Sequence, residues 1–157
     1  KGPSFIRLGK VPEIDFEISN NPLSNDGNVI KEGENVLLLT TGNIISEALK
    51  ASKILEDKNI KVKIISFHSI KPLDSQNVIE HIKEFNNVFS IEEHNIIGGF
   101  GSSIEEILFE NNIRTINFKK IGLNNKVHNE IGNQNYLRNL NNIDSIGIAN
   151  FVLKNVK

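Results

Sequence analysis

From Val36 onward, apolar runs alternate with amphipathic stretches of helical period, and this alternation restricts the fold more than any other feature of the chain. Val36-Leu37-Leu38-Leu39-Thr40-Thr41 is a continuous run closed by Gly42, the pattern of a strand buried on both faces. Ile44, Ile45, Ala48, Leu49, Ser52 and Leu55 then recur at three and four, while Glu47, Lys50, Lys53 and Glu56 fill the other face. The spacing predicts a helix over 43–58, ended by Asn59. Residues 61–67 (KVKIISF) read as a second strand. Pro72 forbids helix just upstream of it, and Asp74 can cap a helix over 75–85 whose core face is Val78, Ile79, Ile82 and Phe85. A short strand over Val88–Ile91, a helix over 101–112, a strand over Thr115–Ile121 and helices over 133–140 and 144–156 complete the pattern.

Strands alternating with helices of this length are joined by right-handed crossovers, which gives a mostly parallel sheet with helices on both faces. The predicted α/β domain spans residues 34–157. Ahead of it, Ser4-Phe5-Ile6-Arg7-Leu8 reads as a lone strand with no helix to complete a unit, so residues 1–12 are expected to be the terminal strand of a preceding domain. Residues 13–33 carry Asn20-Asn21-Pro22 and Asp26-Gly27 and are expected to be linker.

Composition removes several classes of function. With 157 residues and 38% apolar content, the chain can bury about 70% of its unfolded surface without staples. A formal charge of -1 and the lack of a basic tract argue against nucleic acid, and no apolar run approaches the roughly 20 residues of a membrane helix. Zero Cys excludes disulfides, thiolate zinc sites and Cys nucleophiles. The lack of a secretory signal points to the cytoplasm, and a start at Lys1-Gly2-Pro3 with no Met anywhere suggests an incomplete chain.

Several motifs carry a chemical reading beside a plain one. Ile97-Gly98-Gly99-Phe100-Gly101-Ser102-Ser103 lies between a strand and a helix, where glycines let backbone approach a pyrophosphate. With Gly99 and Gly101 as the first two glycines, the third falls on Ile104, and Phe118-Lys119-Lys120 lacks the acid that a ribose requires. A close-packed turn or subunit contact suits it better. Asp26-Gly27-Asn28 resembles part of a thiamine-diphosphate metal signature but follows Asn25 rather than Gly and lies in the expected linker. Glu92-Glu93-His94 falls at the carboxyl edge of the sheet, where a carboxylate beside an imidazole can do acid–base work; an exposed hydrogen-bonded turn is the plain reading. His68, His81 and His128 form no cluster in the sequence. Arg7 with Lys10 can hold a phosphate, or can simply end an exposed strand.

Five segments together carry a resemblance. Gly2-Pro3-Ser4-Phe5-Ile6-Arg7-Leu8-Gly9-Lys10 is similar to the end of a pyrimidine-binding domain. Leu38-Leu39-Thr40-Thr41-Gly42, Ser69-Ile70-Lys71-Pro72-Leu73-Asp74, Glu92-Glu93-His94-Asn95-Ile96-Ile97-Gly98-Gly99-Phe100-Gly101-Ser102 and Ile131-Gly132-Asn133-Gln134-Asn135-Tyr136-Leu137 follow in order. In this set the chain resembles the C-terminal section of the transketolase family, enzymes that use thiamine diphosphate. The resemblance implies a three-layer αβα sandwich of about five strands, mostly parallel with one antiparallel. It implies the C-terminal portion of an enzyme that transfers two-carbon ketol units between phosphorylated or nucleotide-linked sugars. No cofactor, catalytic residue or metal ligand is expected in this chain itself. Thiamine diphosphate and Mg²⁺ would be bound in the complete enzyme by the missing N-terminal cofactor-binding domains or subunit, in a homodimer. The resemblance also implies that Arg7 contacts the substrate phosphate. His94, Gly98, Gly99 and Gly101 are expected at an interface or tight turn. The Glu92-Glu93-His94-Asn95 block and the block from Ile131 to Leu137 take forms similar to short or split transketolase-like proteins. The 1-deoxyxylulose-5-phosphate synthases, the beta subunits of 2-oxo-acid dehydrogenases and a noncatalytic assembly or regulatory module are the alternatives.

Overall fold

The computed structural model describes residues 2–6, 27–125 and 129–156. Five strands form one sheet: β1 (Asn28–Lys31), β2 (Val36–Thr41), β3 (Val62–Phe67), β4 (Asn87–Asn95) and β5 (Asn117–Leu123), in the order β1-β3-β2-β4-β5. The pairs β2–β3, β2–β4 and β4–β5 are parallel, and β1 runs antiparallel against β3. The helices are α1 (Ile45–Glu56), α2 (Ser75–Ile82), α3 (Phe100–Glu110), α4 (Gln134–Leu140) and α5 (Ser145–Asn155).

The period of two along each strand sorts its side chains into two cores. Val36 and Leu38 of β2, with Ile64, Phe89 and Ile91, pack against Ala48, Ala51 and Leu55 of α1 and Ile148, Ala149 and Val152 of α5. Leu37 and Leu39, with Ile65, Phe67 and Val88, pack on the opposite face against Val78, Ile79 and Ile82 of α2 and Ile104 and Leu108 of α3. Residues Val36 to Leu39 are all fully buried, as a central strand covered by helices on both faces requires, and each such side chain stabilises the fold by about 1.5–3 kcal/mol. This is the three-layer αβα sandwich with one antiparallel strand.

Local signals set most element ends. Asn59 adopts φ 61° after α1, and the Ile60 amide donates back to the Leu55 carbonyl, closing that helix. Asp74, Asn133 and Asp144 each accept a hydrogen bond from the backbone N–H three residues on, capping α2, α4 and α5.

Three sequence expectations differ from the structure. The expected linker, 13–33, contains β1: Asn28–Lys31 pair with β3, an edge pairing that a four-residue segment of mixed polarity does not advertise by alternation. The remaining linker residues up to 26 lie outside the described residues. Of the expected strand over residues 4–8, the described residues 4–6 are not in a strand. The strand expected over Val88–Ile91 runs on to Asn95, because β5 continues to pair beside it, so Glu92-Glu93-His94 belongs to a strand rather than a turn.

Candidate functional site

Strand β2 leads into α1 on one face of the sheet, and the adjacent β4 leads into α3 on the other. Their carboxyl ends therefore part, which makes the switch point where open α/β sheets form ligand crevices. A cavity of about 410 Å³ lies there, lined among others by Thr41, Lys71, Glu92, His94, Gly99 and Glu106.

Glu92 organises this end of the sheet. Its side chain is 1% exposed and points beneath the first turn of α3. Oε2 accepts the Phe100 N–H at 2.7 Å and Oε1 the Gly101 N–H at 2.9 Å. The Ser102 and Ser103 amides donate instead to the Gly99 carbonyl. A carboxylate from the protein thus occupies the place where a helix N-terminus would otherwise receive an anion.

The glycines of the turn fit around that carboxylate. Gly98 takes φ 72°, faces open space, and donates its N–H to Ser102 Oγ at 3.0 Å. A Cβ at Gly99 would run into Glu92 Oε2 and the Asn95 carbonyl, and one at Gly101 would meet Ser90 Oγ and the Lys120 side chain. Here the lack of side chains serves close approach of protein to protein. His94 is exposed at the rim, its Nδ1 3.1 Å from the Asn95 carbonyl and 3.9 Å from Glu92 Oε2.

Beside this turn a second polar cluster ties β4 to the helices. Arg138 of α4 is 4% exposed and forks onto Glu93, Nε to Oε1 at 3.0 Å and Nη2 to Oε2 at 2.7 Å. Its Nη1 lies 3.9 Å from Glu47 of α1. Glu47, also buried, accepts from Lys50 Nζ at 2.7 Å and from the Ser145 N–H at the start of α5 at 2.9 Å. The helical pattern assigns Glu47 to the polar face of α1; it is buried because α4 and α5 fold over that face and supply it with partners.

The structure brings His94, Gly98, Gly99 and Gly101 to one corner and leaves the other candidates elsewhere. Arg7, Lys10 and His128 lie outside the described residues. His68 borders β1 with Nδ1 3.5 Å from Asn28 Nδ2, and His81 is half-buried in α2. Burial first, then the nearby Lys63 charge, hold the His81 pKa below its ordinary value, against the opposing pull of Glu84, Glu80 and Glu32. Among the described residues no group of His, Cys, Asp and Glu is arranged to hold a metal ion, and no helix is long and apolar enough to cross a membrane. Sequence reasoning missed the buried roles of Glu92, Glu47 and Arg138. One available signal was Arg138 itself, an arginine in a chain whose basic residues are overwhelmingly lysine, which favours a site that needs a planar fork.

A mostly parallel sheet of this order, with an antiparallel edge strand and a glycine turn closed on a buried carboxylate at its switch point, defines an α/β domain of the doubly wound class. Residues 25–128 match the family model "Transketolase, C-terminal domain", and the chain belongs to that family. It is 33% identical over 144 residues to the 1-deoxy-D-xylulose-5-phosphate synthase of Halothermothrix orenii, covering 90% of this chain and 22% of the relative. It is 29% identical over 166 residues to a putative transketolase C-terminal section of Methanocaldococcus jannaschii, covering 100% of this chain and 49% of the relative. Among solved structures, a split-gene transketolase described as an inactive beta4 tetramer superposes with a TM-score of 0.75 at 28% identity, covering 84% of this chain and 42% of that one. The chain therefore spans half or less of the length of these relatives.

Proposed function

We propose that this chain is the C-terminal portion of a thiamine-diphosphate-dependent, transketolase-like enzyme that transfers two-carbon ketol units between phosphorylated or nucleotide-linked sugars. In this reading the α/β domain serves assembly of a homodimer with the cofactor-binding domains or subunit, not the chemistry. The observation that carries the reading is Glu92: its carboxylate takes the N–H groups that a diphosphate would need at the glycine turn. The residues of the turn do not fit thiamine diphosphate, and no step of the reaction is assigned to them. His94, Gly98, Gly99 and Gly101 then serve the close-packed corner that meets neighbouring protein. Similarity to a separate transketolase C-terminal section and to a split-gene transketolase supports a partner that supplies the remaining domains.

Ketol transfer assayed with this chain, with the complementary cofactor-binding polypeptide, and with both together tests the proposal. Activity that requires both is the expected result, and activity of this chain alone would overturn it. The likeness to a 1-deoxy-D-xylulose-5-phosphate synthase favours a second reading, that the complete enzyme is such a synthase. Formation of 1-deoxyxylulose 5-phosphate without ketol transfer would decide for it.

A further inference from the structure

At the opposite end of the sheet, where β4 and β5 begin, a second cleft of about 360 Å³ is lined by Asn86, Asn87, Arg114, Thr115, Asn117 and Lys119, with apolar Ile116 and Phe118. Its chemistry is unlike that of the switch-point cavity. Glu92 and Glu106 line the cavity at the carboxyl ends, whereas among the described residues no carboxylate side chain lines the cleft at the amino ends. Arg114 and Lys119 make no ion pair among the described residues, although most other ion pairs of the domain join a lysine to a nearby glutamate.

Several groups able to donate hydrogen bonds line this space. The Asn117 side-chain amide is committed, giving its protons to Asn87 Oδ1 at 2.9 Å and to the Asn155 carbonyl at 2.6 Å. Its backbone N–H goes to the Asn86 carbonyl at 2.8 Å. These bonds tie the starts of β4 and β5 and the end of α5 into a fixed floor. Around that floor stand the Arg114 guanidinium, the Lys119 ammonium, the Thr115 hydroxyl and the Asn86 amide, all of them able to donate. Arg114 is further oriented by its position over the Phe109 ring, 5.9 Å from the centroid. A forked cation and a point cation, joined by neutral donors and, among the described residues, without a competing carboxylate, match an oxyanion.

We propose that this cleft binds a small tetrahedral oxyanion, either free phosphate or the phosphate group of a phosphorylated metabolite. The site is separate from the glycine turn and does not depend on the reading of the complete enzyme. The test is a backbone-amide NMR titration of the 157-residue chain with inorganic phosphate and, separately, glycerol 3-phosphate, each at constant ionic strength against sodium chloride. Saturable shifts confined to the amides around 86–87 and 114–119 are expected. R114Q and K119Q should each weaken binding by roughly tenfold while leaving the rest of the spectrum in place, and K53Q, exposed on α1 and lining neither cleft, should leave the affinity unchanged. Tighter binding of the monoester would assign the cleft to phosphorylated metabolites, and equal affinities to free phosphate; both support the site. Shifts that chloride reproduces, or that persist undiminished in both R114Q and K119Q, would overturn it.

Discussion

Glu92 shows how much one side chain can do at a strand end. Its two oxygens satisfy two of the orphan donors of α3 while shielded from water, so removing it leaves buried N–H groups unpaired. Glu92→Ala should lower stability by about 2–3 kcal/mol, read as a drop in the midpoint of chemical unfolding. The glycines around it should respond unequally. Gly98→Ala meets open space and suffers only its left-handed backbone, costing about 1 kcal/mol, whereas Gly99→Ala must displace Glu92 or the Asn95 carbonyl and should cost about 2 kcal/mol or more. Equal losses for the two variants in thermal unfolding would contradict the close packing of the carboxylate. Arg7, outside the described residues, is proposed to bind the distal phosphate of the substrate in the complete enzyme, using remote binding energy to orient the reacting group. Arg7→Ala should then reduce kcat/KM for a phosphorylated substrate by roughly ten- to a hundredfold and spare an unphosphorylated analogue. Equal losses on both would overturn the phosphate-binding role of Arg7.

At the scale of elements, α4 is a short helix held by charge as much as by apolar packing. Arg138 joins it to β4 through Glu93, and Glu47 joins α1 to the start of α5. Removing the guanidinium would undo the fork on Glu93 and leave the buried Glu47 with Lys50 as its remaining cation. Arg138→Ala should therefore cost about 3 kcal/mol and raise hydrogen exchange first in α4. Helix α2 contributes a pH-dependent part of the stability through His81. Because burial holds the folded pKa of His81 below 6.5, the unfolded chain takes up the proton first as the pH falls. Stability from this group is complete above pH 6.5 and is lost as the pH drops from there through the lower folded pKa. His81→Gln should flatten that segment of the stability-versus-pH curve, and an unchanged slope in urea unfolding at a series of pH values would refute the assignment.

For the whole molecule, the two ends of the sheet offer different clefts. The one at the carboxyl ends is closed on its own carboxylate and presents His94 at its rim, while the one where β4 and β5 begin is lined, among the described residues, by Arg114 and Lys119 and by no carboxylate side chain. If the domain serves assembly, calorimetry of the isolated chain with thiamine diphosphate and Mg²⁺ should give no heat of specific binding. Micromolar binding would contradict the assembly reading. The same chain mixed with the complementary cofactor-binding polypeptide should migrate as a larger species in analytical ultracentrifugation.

The sequence by itself determined the layered α/β architecture and nearly every helix and strand in it. The reason is that these depend on signals a few residues apart: the run Val36–Leu39, the spacing of Ala48, Ala51 and Leu55, the caps at Asp74 and Asp144, and the stop at Asn59. The glycine turn was legible as a turn for the same reason. Tertiary structure alone decided what the turn closes upon, since Glu92 is polar in any local pattern and becomes buried only when α3 starts above it. It also decided the pairing of β1, whose four residues gain their identity from the open edge of β3. The burial of Glu47 and Arg138 likewise joins side chains far apart along the chain, and the amino-end cleft sets Asn86 and Asn87 beside the segment from Arg114 to Lys119; distances of that kind are set by the packing of elements rather than by sequence spacing.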